Sequence, residues 1–263
     1  MATKSWQVLV DLVRPHIVRI MTPRGGGTGF LLYNSKAKGF CSIATAAHVV
    51  SAVHFWEEPI RLQHAESGKS IMVRPLERAI LISEEKDVAA ITFQTQDLDL
   101  PEQPLTLSPT NLFVRVGVEI GWLGFPAISR ELCFFSGRIS AYIGSEERYL
   151  VDGVAINGVS GGPAFVGETD GTMSLTGVLS AYIPNRVTAE TLPGLAVVTD
   201  VVEFHKIVGD FKSLDEAQAQ QTTTSEAPVT PLDQSPPPTQ EPHAQPDKPL
   251  QPMAPHTNAK RIG

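Results

Sequence analysis

A serine lies in a glycine-rich stretch of the chain, residues 158–163, which read Gly-Val-Ser-Gly-Gly-Pro. Glycine adopts backbone angles that other residues avoid, and it lets another molecule approach the main chain closely. A loop of this composition can expose the Ser160 hydroxyl for attack on a carbonyl carbon. It can also point backbone N–H groups at the carbonyl oxygen, where negative charge develops. The alternative is an ordinary turn between two strands, because glycine and proline are also frequent in turns.

A histidine and an aspartate each lie beside an apolar segment. His48 follows a run of apolar and small residues, 41–47, and such a histidine, taken alone, is more often a buried core residue than a catalyst. Asp87 precedes a second apolar run, a place where an aspartate commonly caps a turn. Asp97 and Asp99 are alternatives to Asp87, but both lie in a polar stretch that we expect to be exposed. Each residue alone is weak evidence for a catalytic role, so the prediction depends on all three residues together.

Taken together, these segments resemble those of chymotrypsin-type serine proteases. His48, Asp87 and Ser160 follow one another at separations of 39 and 73 residues, in an order that differs from subtilisin and from the α/β-hydrolases. Thr-Ala-Ala-His, ending at His48, and Asp-Val-Ala-Ala, beginning at Asp87, are similar to the family's histidine and aspartate segments. The resemblance, which covers about residues 17–208, implies that His48 takes the Ser160 proton and that Asp87 fixes the histidine tautomer. It also implies an oxyanion hole formed by the amides of Gly158 and Ser160.

Two features of the sequence indicate which branch of this family it resembles. The Gly-Phe-Pro turn at residues 124–126 is similar to a turn in Deg-type (high-temperature-requirement) bacterial proteases, although here a proline-rich segment stands where many of them carry a peptide-binding PDZ domain. Val159 stands where digestive trypsin-like enzymes have an acidic residue that captures a newly cut N-terminus. Activation by that route is therefore not expected.

The same resemblance implies a set of substrate-binding residues. Val154 is expected near the base of the pocket for the residue that precedes the cut. Leu179, Ser180 and Ala181 are expected on the strand that pairs with an extended substrate. No carboxylate occupies the Val154 position, although Asp152 is nearby, so we expect cleavage after small or medium apolar side chains.

The elements that must position these residues are predominantly strands. Short alternating apolar segments, separated by glycine and proline turns, predict an all-β fold of two six-stranded antiparallel barrels. The barrels are expected at about residues 16–100 and 112–200, with short helices at 5–13 and 201–208. The three glycines at residues 25–27 predict a hairpin turn, because the Lys-Ser/Thr pair of a phosphate-binding loop does not follow them.

The composition changes at about residue 212. Residues 1–211 form the predicted protease domain, whereas 212–263 are rich in proline, glutamine and threonine. Such a segment cannot bury enough apolar area to offset the entropy of ordering it, so a disordered tail is predicted. This tail is a candidate docking segment for a partner, and a solvated tail without a binding role is the equal alternative.

Composition excludes several other classes of protein. The net charge of −7 and the pI near 5.5 argue against a nucleic-acid partner. Cys41 and Cys133 are the two cysteines, which favours a reducing compartment with both thiols free and buried. With neither a secretory signal pattern nor a long apolar run, we expect a cytoplasmic protein without membrane contact.

The prediction is therefore a serine endopeptidase that needs no metal or organic cofactor and acts on a protein or peptide substrate. No metal-ligand motif such as His-Glu-x-x-His or paired Cys-x-x-Cys occurs in the sequence. Three alternatives stay open: a catalytically silent peptide-binding module of the same fold, an esterase, and a scaffold protein that works through its tail.

Overall fold

The computed structural model describes residues 5–35, 39–94, 98–167, 172–185 and 192–225. The described strands fall into two antiparallel sheets, one in each half of the chain, and short helices flank them. The predicted all-β fold with two β halves is confirmed. The connection between the halves runs from Leu98 to Val118 without a regular strand, and one isolated bridge ties Leu107 to Leu175.

The first half is a seven-stranded sheet with a helix inserted after its third strand. Its elements are β1 Ile17–Thr22, β2 Gly25–Ser35, β3 Phe40–Thr45, α2 Ala47–Phe55, β4 Ile60–His64, β5 Ser70–Val73, β6 Arg78–Ser83 and β7 Val88–Gln94. The strand order is β5-β4-β1-β2-β3-β7-β6. Because β5 and β6 do not pair with each other, the sheet curls without closing and has one strand more than the six expected.

An arginine occupies the seam where this sheet stays open. The Arg78 guanidinium donates hydrogen bonds to the carbonyl oxygens of Val73 at 2.9 Å, Val53 at 3.2 Å and Glu58 at 2.6 Å. A short 3₁₀ turn, Pro75–Glu77, separates β5 from β6. Of the three carbonyl groups, that of Val73 lies at the end of the edge strand β5, and the other two lie in α2 and in the segment that follows it. The arginine therefore links the end of β5 to α2 at the open side of the sheet.

The three glycines at residues 25–27 lie inside β2 rather than in the turn, which is formed by Pro23 and Arg24. A Cβ on Gly27 would lie 2.7 Å from the Val49 side chain and 2.9 Å from the Ser160 carbonyl oxygen. The expected turn is therefore displaced by two residues. Glycine is needed at residue 27 because α2 and the loop of Ser160 pack directly on the strand.

The second half is a closed six-stranded barrel, as predicted. Its strands are β8 Glu119–Gly124, β9 Cys133–Ile143, β10 Arg148–Asp152, β11 Pro163–Gly167, β12 Met173–Asn185 and β13 Leu192–Asp200, in the order β10-β13-β12-β11-β8-β9. Trp122, Tyr149 and Val198 are fully buried in its core. The first sheet has a separate core around Ile20, Ile43 and related aliphatic side chains.

Two terminal helices pack on the region between the sheets. Helix α1, Trp6–Val13, is the predicted N-terminal helix, and it buries Leu9 and Val13. Helix α3, Val202–Ser225, buries Phe204 in the same cluster as Phe30 and Phe165. This third cluster draws side chains from both halves of the chain, so burial of apolar area here holds the two sheets together.

Helix α3 is much longer than the helix predicted at residues 201–208, and it passes through the predicted tail boundary at residue 212. Phe211 contacts the rings of Tyr33 and Phe40 at centroid distances of 5.3 and 5.5 Å. Asp215 accepts hydrogen bonds from the Tyr33 and Ser35 hydroxyls at 2.5 and 3.0 Å. These tertiary contacts stabilise the helical turns of α3 beyond residue 208, where the polar composition does not predict a helix. Residues 226–263 of the predicted tail lie outside the described residues.

The cysteines are both free thiols, as predicted. Cys41 is buried at 3% exposure, in the core of the first sheet, whereas Cys133 is partly exposed at the start of β9. The expectation that both are buried is therefore correct for Cys41 alone. Cys133 is the first residue of β9, and its thiol donates to the Glu131 carbonyl oxygen in the preceding loop at 3.6 Å.

Candidate active site

His48 is placed by a buried strand and the helix that follows it. Strand β3 ends at Thr45, and His48 is the second residue of α2. The strand is central in its sheet and almost entirely buried, so its end has a fixed position. The His48 side chain itself is half exposed. The imidazole therefore projects from a rigid support toward the surface.

Asp87 lies at the end of a tight turn immediately before β7. Its backbone has φ of 54°, and its amide donates to the Glu84 carbonyl oxygen at 3.2 Å. Strand β7 pairs with β3 so that Ala89 is opposite Thr45, and this register brings the turn beside the start of α2. An aspartate tolerates this left-handed conformation better than most residues do.

A two-point contact joins the Asp87 carboxylate to His48. Its Oδ1 accepts the His48 backbone N–H at 3.0 Å, and its Oδ2 lies 2.9 Å from Nδ1 of the ring. A carboxylate only accepts hydrogen bonds, so the Nδ1 atom carries the proton and Nε2 of the neutral ring is left as a base. The contact fixes both the orientation and the tautomer of the imidazole.

Asp99, one of the two alternative aspartates, is bonded elsewhere. Asp99 forms an ion pair with Lys69, whose Nζ lies 2.7 Å from its Oδ1. Asp97 lies outside the described residues. Among the described carboxylates, Asp87 is the one that contacts His48.

Contacts from the second half of the chain hold the turn that carries Asp87. Lys86 Nζ lies 3.2 Å from Glu147 Oε2, and the Arg148 guanidinium donates to the Glu85 carbonyl oxygen at 2.9 Å. Glu147 and Arg148 belong to the hairpin between β9 and β10. These residues were not predicted, because a charged residue in a polar loop does not indicate partners that lie 61 and 63 residues away.

Ser160 and His48 line one cavity of about 300 Å³. Its other lining residues come from two segments of the barrel: Ala155, Ile156, Asn157, Val159, Leu179, Ser180, Ala181 and Tyr182. Ser160 is partly exposed, and within the described part of the chain its hydroxyl has no hydrogen-bond partner. The serine and the imidazole are therefore brought to one cavity without a direct bond, a common state of such pairs in the absence of substrate.

The backbone of the Ser160 loop leaves two N–H groups available. Gly161 and Gly162 donate to the carbonyl oxygens of Leu179 at 2.7 Å and Val159 at 3.0 Å. By contrast, the amides of Gly158 and Ser160 have no acceptor among the described residues. These two amides lie on either side of Val159, next to the partly exposed Ser160 hydroxyl. An oxyanion hole requires such a pair of N–H groups without internal acceptors.

Glycine is required at residue 158 of this loop. Its φ is +94°, and a Cβ would collide with the Phe125 carbonyl oxygen and lie 2.9 Å from the Ala127 amide nitrogen. The turn from Ile156 to Val159 is closed by a hydrogen bond of 3.1 Å from the Val159 amide. A turn with positive φ at its third residue is of type II, which favours glycine there.

The predicted substrate-binding residues separate into two groups. Leu179, Ser180 and Ala181 line the cavity. Val154 does not line it, and its side chain is 58% exposed. Strand β10 ends at Asp152, and Gly153 packs against the Trp122 ring, so the chain leaves the barrel before Val154 and returns to the cavity at the next residue.

Five lining residues are not among the site residues named individually from the sequence: Ala155, Ile156, Asn157, Val159 and Tyr182. The first three belong to the segment 154–157, which resembles one wall of the family's specificity pocket, and Tyr182 ends the segment 175–182, which resembles the substrate-pairing strand. Tyr182 extends across the sheet, where its hydroxyl accepts the Gly194 amide at 2.5 Å.

The cavity carries little charge. Apart from His48, its lining residues are apolar or neutral polar, and Asp152 is exposed outside it. No cluster of described residues has the composition of a metal site. Within the described residues, every helix is too short or too polar to cross a lipid bilayer.

Comparison with known proteins agrees with this fold. A family model described as a trypsin-like peptidase domain matches residues 27–173 of the chain. No curated protein of similar sequence was found.

Several solved structures are similar to the chain in fold. Deg5 is 21% identical, with a TM-score of 0.55 over 76% of this chain and 90% of its own. A serine endoprotease from Yersinia pestis is 20% identical, with a TM-score of 0.58 over 80% of this chain and 67% of its own. An inactive mutant form of Rv3671c from M. tuberculosis is 18% identical, with a TM-score of 0.54 over 80% of this chain and 96% of its own.

Proposed function

Because the chain belongs to the trypsin-like peptidase family, we propose that it is a serine endopeptidase in which Ser160, His48 and Asp87 act as a catalytic triad. The observation that carries the proposal is the two-point contact between His48 and Asp87 at the edge of the cavity that Ser160 lines. This contact leaves Nε2 of the ring as a base on a support that does not need to reorganise.

The proposed reaction is acyl transfer to Ser160 followed by hydrolysis. His48 takes the hydroxyl proton as Ser160 attacks the peptide carbonyl, and Asp87 stabilises the imidazolium. His48 then gives the proton to the leaving amine, and water hydrolyses the acyl-enzyme with His48 again as the base. The amides of Gly158 and Ser160 hold the oxyanion, and each such donor raises kcat by roughly 10²–10³-fold.

An exposed strand edge supports binding of an extended peptide beside the triad. Strand β11 begins at Pro163, which pairs with Val178, so the edge of β12 from Ser180 onward has no β11 partner. A substrate segment can add to this edge as a further antiparallel strand, with main-chain hydrogen bonds for affinity. Its side chains then enter the cavity next to Ser160.

The cavity favours a small or medium apolar side chain before the cut. Ala155, Ile156 and Leu179 supply apolar walls, and a carboxylate that could pair with arginine or lysine is not among the described lining residues. Each methylene gained or lost in such a pocket changes specificity by about 1–3 kcal/mol. We therefore expect a graded preference for apolar side chains rather than an absolute one.

A fluorophosphonate probe tests the nucleophile. We expect stoichiometric labelling of the wild-type protein at Ser160 and none of Ser160→Ala. Ser180→Ala is the matched control, because Ser180 lines the same cavity but is 3% exposed and directs its hydroxyl to the Val197 carbonyl oxygen at 3.5 Å. The Ser180→Ala protein should still be labelled at Ser160. Labelling at Ser180 instead would overturn the assignment.

A peptide-library digest tests the reaction and the preference. We expect cuts that follow small or medium apolar residues, and none with Ser160→Ala. Cuts after arginine or lysine would contradict the apolar pocket, and ester hydrolysis without any peptide cleavage would identify an esterase.

A peptide-binding module is the second candidate. It is supported by the edge of β12 from Ser180 onward, which can bind an extended peptide whether or not Ser160 is activated. A folded wild-type protein that binds library peptides but is neither labelled nor active would select this alternative.

A further inference from the structure

Thr28 connects the first sheet to the loop that carries Ser160. It lies on β2 and is fully buried. Its amide donates to the Ser160 carbonyl oxygen at 2.8 Å, and its hydroxyl donates to the Gly158 carbonyl oxygen at 2.9 Å. The same hydroxyl accepts the Phe125 amide at 2.9 Å, and the Thr28 carbonyl oxygen accepts the Thr45 hydroxyl at 2.8 Å. All three polar groups of this residue are thus bonded.

The carbonyl groups of the loop are fixed one after another. Those of Gly158 and Ser160 are held by Thr28. The carbonyl oxygens of the two residues that precede them, Asn157 and Val159, accept the amides of Ala127 at 2.6 Å and Gly162 at 3.0 Å.

This pattern sets the direction of the free N–H groups. In a planar trans peptide the N–H points opposite to the C=O. The bonds to the Asn157 and Val159 carbonyls therefore direct the amides of Gly158 and Ser160 away from Ala127 and from the loop interior. The two peptides held by Thr28, 158–159 and 160–161, alternate with these. Thr28 therefore fixes the backbone on both sides of the peptide that carries the Ser160 N–H, and a shift of this backbone would move both free N–H groups.

The threonine hydroxyl is well suited to this role because it both donates and accepts. It satisfies a carbonyl of the Ser160 loop and an amide of the Phe125 segment with one atom. Both groups contact the Thr28 side chain, and Thr28 has no exposed surface. Without the hydroxyl, both would stay unpaired away from water, which favours a shift of the loop.

We propose that Thr28 is a positioning residue that holds the amides of Gly158 and Ser160 toward the cavity, so that the oxyanion hole is formed before substrate arrives. Val159, between them, is an uncharged residue buried in the barrel core. The order of the loop therefore depends on hydrogen bonds, two of them from Thr28 in the first sheet, and not on an ion pair at that position. The catalytic consequence rests on the proposed function, whereas the effect on loop order does not.

Three variants separate the hydroxyl from the shape of the residue. Thr28→Val keeps the branched shape and removes the hydroxyl, and Thr28→Ser restores it. Thr176→Val is the matched control, because Thr176 is equally buried on a strand and its hydroxyl does not contact the loop. If Thr28→Val does not fold, Thr28→Ala replaces it, because it removes the hydroxyl without placing a methyl group against the Gly158 carbonyl oxygen.

Kinetics with a cleaved peptide give the first readout. We expect Thr28→Val to lower kcat by roughly 10–100-fold, which does not exceed the effect of removing one oxyanion donor. The KM of this variant should stay within about threefold of the wild-type value. Thr28→Ser should recover most of this loss, and Thr176→Val should match the wild type. The acidic limb of the pH profile should not move, because the contact between His48 and Asp87 is unchanged.

Amide hydrogen exchange gives a second readout that does not need activity. Peptides covering residues 157–162 should exchange at least about tenfold faster in Thr28→Val than in the wild type, Thr28→Ser or Thr176→Val, because loop opening becomes less costly. Unchanged exchange in a folded Thr28→Val, or equal effects of Thr28→Val and Thr28→Ser, would overturn the proposal. A wild-type protein that is not labelled at Ser160 would refute the proposed function instead, and the exchange comparison would still decide the role of Thr28.

Discussion

The substitution Gly158→Ala tests the geometry of the oxyanion hole with a single methyl group. That methyl would collide with the Phe125 carbonyl oxygen and lie 2.9 Å from the Ala127 amide nitrogen. Both are backbone atoms, so the loop must move instead of a flexible side chain. The movement displaces the Gly158 N–H from the oxyanion. We expect kcat to fall by roughly 10²–10³-fold, or about 2.7–4 kcal/mol of transition-state stabilisation.

A second cost comes from the backbone conformation, and a control can isolate it. Gly117 has φ of +87°, close to the +94° of Gly158, but a Cβ there has no neighbour within 4 Å. Alanine in this region costs about 1–2 kcal/mol in either place. Gly117→Ala should therefore lower the free energy of unfolding by that amount and leave kcat unchanged. Gly158→Ala should lose stability as well as kcat.

The assay combines hydrolysis of a peptide selected from the library, the rate of fluorophosphonate labelling at Ser160, and urea unfolding. Gly158→Ala should be folded under assay conditions and impaired in both reactions, because both need a stabilised oxyanion. The reasoning is refuted if folded Gly158→Ala keeps kcat within about threefold of the wild type, an effect far below the loss of one donor. It is also refuted if Gly117→Ala loses as much activity.

Three further predictions concern the rest of the site and the pH dependence of stability. Asp87→Asn should lower kcat by roughly 10⁴-fold in the peptide assay without unfolding the protein, because the amide favours the wrong tautomer of the imidazole; a loss under tenfold would contradict this role. Lys86→Ala and Glu147→Ala should each lower kcat by a few-fold, and the double variant should lose no more than either one, because both remove the same ion pair; additive losses would contradict it. Burial lowers the pKa of His16 from its ordinary value of 6.5. Below pH 6.5 this histidine is therefore protonated in the unfolded chain more readily than in the folded one. The stability that the protein has above this pH is lost as the pH falls. In urea unfolding at pH 7.5 and 5.5, His16→Gln should reduce that loss and the exposed control His54→Gln should not; equal slopes in both variants would contradict the assignment.

The limits of prediction from the sequence are clearest at the terminal helix. The apolar spacing ends near residue 208, so the pattern predicts a short helix there. The structure continues the helix because the Phe211 ring packs on Tyr33 and Phe40, and because Asp215 bonds to Tyr33. These partners are some 180 residues away along the chain. A local pattern holds no information about them.

The open first sheet shows the same limit for strands. Alternation of apolar residues predicts that a segment is a strand with one buried face, and this part of the prediction is confirmed. Whether the sheet closes depends on what meets its last edge. Here Arg78 fills the seam and bonds to three carbonyl groups, and an arginine at the start of a strand does not signal that role.

The sequence by itself predicted the fold class and three residues of the candidate site. His48, Asp87 and Ser160 lie in short segments that can be recognised from their own composition. His48 follows the end of an apolar strand, Asp87 ends a polar turn, and Ser160 lies in a glycine-rich loop. The tertiary structure decided how these segments meet. The pairing of β3 with β7 brought Asp87 beside His48, and the exit of the chain from the barrel at Gly153 left Val154 outside the cavity lining. The position of β2 placed Thr28 in contact with the Ser160 loop. Local conformation follows from nearest neighbours in the chain, whereas the geometry of a site depends on contacts between distant segments.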